Sequence, residues 1–198
     1  MALIAACSMP TTLNTQWVNP QHAGQPPLGK ILVMGITRDA TNRRVFEDAV
    51  VAALAARGVS AVASYVHIPA DGPADMALVE QAVKASGATG IITSRVVNVS
   101  QTVTVTPGMS TGPTFGRPMG MGGFYGFYNG MWASSFSTLP TIRTEENIVA
   151  DTQLFDVKDH SIVWTGSTTT TPGGRNAGAV LKQFEQLFVD SMAAAKVI

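Results

Sequence analysis

Seven residues, Lys30-Ile31-Leu32-Val33-Met34-Gly35-Ile36, form an apolar run, and the polar stretch after them carries apolar residues at every third or fourth position. This pairing restricts the chain more than any other feature. A short apolar run bounded by turn residues is the pattern of a buried strand, and the period that follows is that of an amphipathic helix. Thr41 or Asn42 is expected to cap that helix; its inward positions are Val45, Phe46, Ala49, Val50, Ala53 and Leu54. Gly58, just after Arg57, supplies the left-handed residue that ends it. The pattern then repeats. Ala61 to Ile68 reads as a second strand, and Asp75 caps a helix facing inward with Leu78, Val79, Ala82 and Val83 and closed by Gly87. A third strand starts at Gly90 and turns from continuously apolar to mixed around Val97 and Val99, as a strand does on leaving a buried sheet centre.

Farther along, 143–156 and 161–171 form a hairpin around Lys158-Asp159, with Trp164 expected to be buried near Phe184 and Phe188. A last helix runs from about Ala177 to Val197 with Val180, Phe184, Leu187, Phe188, Ser191 and Ala195 on one face. The order is β-α-β-α-β, an insertion, a β-hairpin, then α. Two right-handed crossovers imply parallel pairing and the hairpin adds antiparallel strands. The fold class is therefore α/β (α+β), a mixed β-sheet with helices packed on it.

The N-terminal stretch raises a different question. Leu3-Ile4-Ala5-Ala6-Cys7 reads as the cleavage and lipidation box of a bacterial lipoprotein, yet only six residues precede the cysteine. A secretory signal needs a basic segment and roughly 7–15 apolar residues before its cleavage site. Residues 1–7 are accordingly expected to be the remainder of a signal peptide that begins upstream. Cys7 is the one cysteine of the chain, so no intramolecular disulfide can form, and lipid attachment gives it a role. Residues 8–29, rich in Pro, Gln, Thr and Asn and without apolar period, read as a disordered tether. The single α/β domain is expected over 30–198.

Within it, 107–135 is the odd segment. Glycine is dense, Phe124, Tyr125, Phe127, Tyr128 and Trp132 cluster, and Arg117 is the one charge. Aromatic residues with little charge to solvate them point to a surface that meets another chain or lipid.

Composition excludes some roles. Lys and Arg total 13, Asp and Glu total 13, and together they make only 13% of the chain. Nucleic-acid binding by counterion release needs a basic face, which this sequence lacks. The search for chemistry is equally restrictive. Gly24 to Lys30 has the spacing G-x-x-x-x-G-K of a phosphate loop, but Ile31 cannot ligate Mg²⁺ and the segment precedes a strand instead of following one. His22, His67 and His160 fall in the tether, a strand end and a hairpin turn, with no ligand spacing among them. No nucleophile elbow is present, and the paired acids Glu145-Glu146 and Asp156-Asp159 read as solvated. No catalytic residue and no cofactor are expected. Met119 and Met121, soft thioether ligands in M-x-M spacing, are weak candidates for Cu(I).

Two stretches carry a resemblance: ILVMGITRDATNRRVFEDAVVAALAARGV, and TQLFDVKDHSIVWTGSTTT with its D-x-K-D-x-x-x-V-W pattern. Over residues 30–105 and 143–198 the chain resembles bacterial envelope lipoproteins. Their domain is like the N-terminal domain of the Tol system's periplasmic propeller protein and like the curli-secretion lipoprotein. The resemblance implies an outer-membrane lipoprotein facing the periplasm, anchored through Cys7 and acting without catalysis on other envelope proteins or copies of itself. The relatives also imply an alternative, a subunit of an oligomeric secretion or surface-polymer export assembly. A periplasmic copper or small-molecule binding protein is the third class.

Overall fold

The computed structural model describes residues 11–69, 76–106 and 141–198, with the backbone alone for 102–106 and 141–145. In chain order the elements are β1 (Thr11–Val18), β2 (Lys30–Ile36), α1 (Ala40–Ala55), β3 (Ser60–Ala63), α2 (Met76–Ser86), β4 (Gly90–Thr106), β5 (Thr141–Asp156), β6 (Ile162–Thr170) and α3 (Ala177–Ala194). Single 3-10 turns occur at Pro20–His22 and Ser64–Val66. Two compact units are present, Met1–Ser100 with Glu146–Ile198, and Gln101–Glu145; the strand segments 101–106 and 141–145 are the described part of the second. Among the described residues no helix is long and apolar enough to cross a membrane.

The strands form one sheet in the order β1-β6-β5-β4-β2-β3. β2 lies parallel to β3 and to β4, while β6 is antiparallel to both β5 and β1. Val157 N donates to Thr89 O and Ser94 meets Thr152, so β4 and β5 also run antiparallel. The fold is thus the expected mixed sheet with helices on it, with one strand more than the sequence pattern showed. That strand is β1. Residues 11–18 belong to the stretch expected as a free tether; they instead pair along β6 from Thr11↔Thr170 to Val18↔Trp164.

β2 explains the layering. Ile31 and Val33 point to one face and pack with Val50 and Leu54 of α1 and with Phe184, Phe188, Val189 and Met192 of α3. Leu32 points to the other and packs with Ile68, Ala82 and Ala88, with Leu78, Val79 and Val83 of α2 alongside. Successive side chains of a strand alternate between faces, so a continuous apolar run requires cover on both. Trp164 is fully buried in the first cluster, as expected, and its ring lies across Gly166, where a Cβ would come within 2.7 Å of the indole Cζ2. The glycine makes room for the tryptophan.

The helices differ from expectation in detail. Asp39, not Thr41 or Asn42, caps α1, its carboxylate accepting from Asn42 N at 2.8 Å. Val45 is largely exposed, whereas Arg43 and Glu47 are buried. Glu47 Oε1 accepts from Gly35 N at 2.9 Å, Arg43 Nε at 3.0 Å and Ser64 Oγ at 2.7 Å, and Oε2 accepts from Tyr65 N at 3.0 Å. This carboxylate takes the chain out of β3 at Ala63, which is why the strand is shorter than its apolar pattern. On α3 the buried face holds Phe184, Glu185, Phe188, Val189 and Met192, rotated from the expected one. Among the described residues Glu185 Oε2 has no hydrogen-bond partner, and burial raises the carboxyl's pKa, opposed by the charge of Lys182.

Three expected outcomes follow from this packing. Trp164→Ala removes a fully buried indole and costs about 3–5 kcal/mol in urea unfolding. Glu47→Gln leaves Arg43 facing an amide in a closed site and costs a similar amount, about 3–5 kcal/mol, by the same measurement. The raised pKa of Glu185 stabilises the fold below the carboxyl's ordinary value of 4.5 and that contribution is lost as the pH rises through the folded value. Glu185→Gln therefore melts above wild type at pH 7 and equal to it below that ordinary value, read by calorimetry across the range.

Candidate functional site

Among the described residues, two places bring chemistry-bearing residues together. The first is a cleft of about 400 Å³ at the C-terminal end of β2. It lies where ligands bind in open α/β sheets, outside the carboxyl ends of the strands. Gly35, Ile36 and Thr37 form one wall, Asn42, Val45 and Phe46 of α1 a second, Ser94, Arg95 and Val96 of β4 a third, and Ala177, Gly178 and Leu181 of α3 the last. Its rim is apolar and open, with Ile36, Val45 and Val96 exposed to 52%, 53% and 56%. The helix N-termini that border it each carry a side-chain cap: Asp39 caps α1, and Asn176 Oδ1 accepts from Gly178 N at 2.8 Å. Glu47 fixes the floor through the Gly35 amide. Among the described residues Arg95 is the one charged side chain of the lining, with no acid, histidine or thiol beside it. The cleft can hold an apolar side chain.

The second place is the β5–β6 turn. Asp156 N donates to Ser161 O at 2.9 Å and closes the hairpin, with His160 in the left-handed region at φ 60°. Against it lies the 3-10 turn after β1. Asn19 holds that turn twice, its backbone N donating to Val163 O at 2.9 Å and its Nδ2 to Ile162 O at 3.0 Å. His22 is thereby delivered to the hairpin. Its Nε2 is 3.2 Å from Ser161 Oγ and 3.9 Å from Asp156 Oδ2, and the side chains of His22 and Asp156 are only 8% and 13% exposed. One ligand atom each from His22, Asp156 and Asp159 lies within 4.8 Å of the others. Asp156 Oδ1 accepts from Lys158 N at 2.7 Å and Asp159 Oδ1 from Ser161 N at 2.9 Å. The Ser161 hydroxyl, and after it the Ser161 amide, hold the Asp159 carboxyl below its ordinary pKa of 3.8.

This corrects two expectations. His22 does not sit in a free tether, and Asp156 is not a solvated turn acid. His67 and His160 are not part of the group. The residues expected to carry function lie outside the described residues: Cys7 for lipidation, Phe124, Tyr125, Phe127, Tyr128 and Trp132 for contact, and Met119 and Met121 as copper candidates. What the sequence reading missed was of two kinds. Arg43 and Glu47 stand at helical i, i+4 spacing, a signal present in the sequence; His22 and Ser161 are 139 residues apart, and no local pattern joins them.

No family model matches the chain, and no curated protein matches it. Among solved structures it is similar to the PelC dodecamer from Paraburkholderia phytofirmans, at 12% identity over 90% of this chain and 94% of that one, with a TM-score of 0.48. It is also similar to lipoprotein GNA1162 from Neisseria meningitidis, at 14% identity over 84% of this chain and 99% of that one, with a TM-score of 0.45. Both are similarities in the course of the chain at low identity, and no role is carried from them to this protein.

Proposed function

We propose that this chain is a non-enzymatic lipoprotein of the bacterial cell envelope, anchored in the outer membrane through a lipid on Cys7 and facing the periplasm. It works by contact with other envelope proteins or with copies of itself. The observation that carries the reading is the L-I-A-A-C box placed immediately before an ordered strand. Three residues, Ser8 to Pro10, separate Cys7 from Thr11. An extended chain covers at most about 3.6 Å per residue, so the sheet starts within about 14 Å of the anchor residue. A domain on such an attachment rests at the bilayer surface rather than ranging from it.

The 101–145 segment supplies contact residues, the cluster Phe124, Tyr125, Phe127, Tyr128 and Trp132. Tyr and Trp are enriched where proteins bury contact surface and at membrane interfaces. On the first unit, Val97 and Val99 share one face of β4 and are exposed to 43% and 54%, with Val96 exposed to 56% on the other face, so this stretch offers apolar surface to another protein. The same stretch supports the second reading, a subunit of an oligomeric secretion or export assembly of the kind implied by the curli-secretion resemblance.

The test is metabolic labelling with a palmitate analogue, the gene being expressed with its natural upstream sequence. Wild type takes up label and Cys7→Ser does not. Equal labelling of the two, or labelling of neither, removes the lipoprotein reading.

A further inference from the structure

We infer that His22, Asp156 and Asp159 form a divalent transition-metal site, of which Zn²⁺ is the natural probe, clasping the segment after β1 to the β5–β6 hairpin. The donor set is what such an ion requires. One imidazole nitrogen and two carboxylates lie within 4.8 Å of one another, and a tetrahedral ion with bonds of about 2.0–2.2 Å draws them closer, to separations of roughly 3.3–3.6 Å. Two carboxylates and a neutral imidazole carry the charge that balances a dication. The nitrogen favours Zn²⁺ over Mg²⁺ or Ca²⁺, which take oxygen ligands.

The surroundings are those of a built site. The His22 side chain is only 8% exposed, with its Nε2 3.2 Å from the Ser161 hydroxyl and 3.9 Å from Asp156 Oδ2. Two carboxylates beside it are neighbouring like charges, which a cation compensates. Each carboxylate is held by one oxygen through a backbone amide, Asp156 by Lys158 N and Asp159 by Ser161 N. Outer hydrogen bonds of this kind orient metal ligands. Asn19 fixes the approach of His22 by its two bonds to the start of β6. Three protein ligands leave a position for water or for a group from a partner, the arrangement of an open zinc site rather than a closed structural one. An ion there would join His22 to residues 134 and 137 positions away and lock β1 onto the sheet.

The experiment uses the full chain, stripped with EDTA and titrated with Zn²⁺ against a chromophoric chelator. Wild type binds one equivalent, and at free Zn²⁺ about a hundred times Kd its melting temperature rises by roughly 5–10 °C. His22→Ala and Asp156→Asn weaken binding at least about tenfold, in line with loss of one ligand. Asp159→Asn, on the exposed turn, gives the same loss where a buried variant disturbs folding. His67→Ala and Cys7→Ser bind as wild type. No equivalent retained by wild type, undiminished binding by both His22→Ala and Asp159→Asn, or loss on His67→Ala or Cys7→Ser would each overturn the assignment.

Discussion

The pairing of β1 with β6 is the constraint on which the rest of this molecule depends. It joins the two ends of the chain, because Thr11–Val18 lies against Trp164–Thr170. β6 carries Trp164, the largest fully buried side chain, and as an edge strand it would leave a row of backbone groups open to another sheet. β1 closes that row. The pairing is sealed at one end by the buried Thr11 and Thr170 hydroxyls, 3.0 Å apart, and at the other by Asn19 on Val163. Gln16 on β1 also meets Ser191 of α3, so the strand is held by the helix as well. From this one pairing comes the delivery of His22 to the hairpin.

A second polar device organises the other half. β2 is buried on both faces, and a strand in that position has its backbone satisfied by neighbours until it ends. At its end the Gly35 amide would be an orphan inside the protein. Glu47 accepts it, and draws in Arg43, Ser64 and Tyr65 at the same time. A buried carboxylate with four donors around it is tolerable where an unpaired one is not. The result is a fixed joint between β2, α1 and the turn after β3, and above that joint opens the apolar cleft with Arg95 at its wall.

Much of this was legible in the sequence and the exceptions share a cause. The KILVMGI run, the period of α2, the glycines at 58 and 87, and the hairpin around Lys158 all signal through residue type, and the structure places them as read, Gly58 and Gly87 at φ 76° and 65°, whereas α1 turns Val45 outward and buries Arg43 and Glu47. β1 does not signal in this way. Its side chains are mostly exposed or half-exposed, and what holds TTLNTQWV is backbone pairing to a strand at the far end of the chain. The polar composition that suggested a tether is simply that of an edge strand with little to bury. Glu185 was missed for the opposite reason: a charged residue was not expected on the inner face of α3, where its neighbours Phe184 and Phe188 place it. The His22, Asp156 and Asp159 cluster is a product of topology alone.

Hydrogen exchange across β1 tests the account most directly. Read by mass spectrometry with residue-level fragmentation, the amides of 11–18 that donate to β6 are predicted to exchange as slowly as those of β6, because the two strands open together, while the outward-facing amides of this edge strand exchange fast. Exchange of those donating amides within seconds, while 162–170 stays protected, would return this segment to a free tether and contradict the placement of both the anchor and His22.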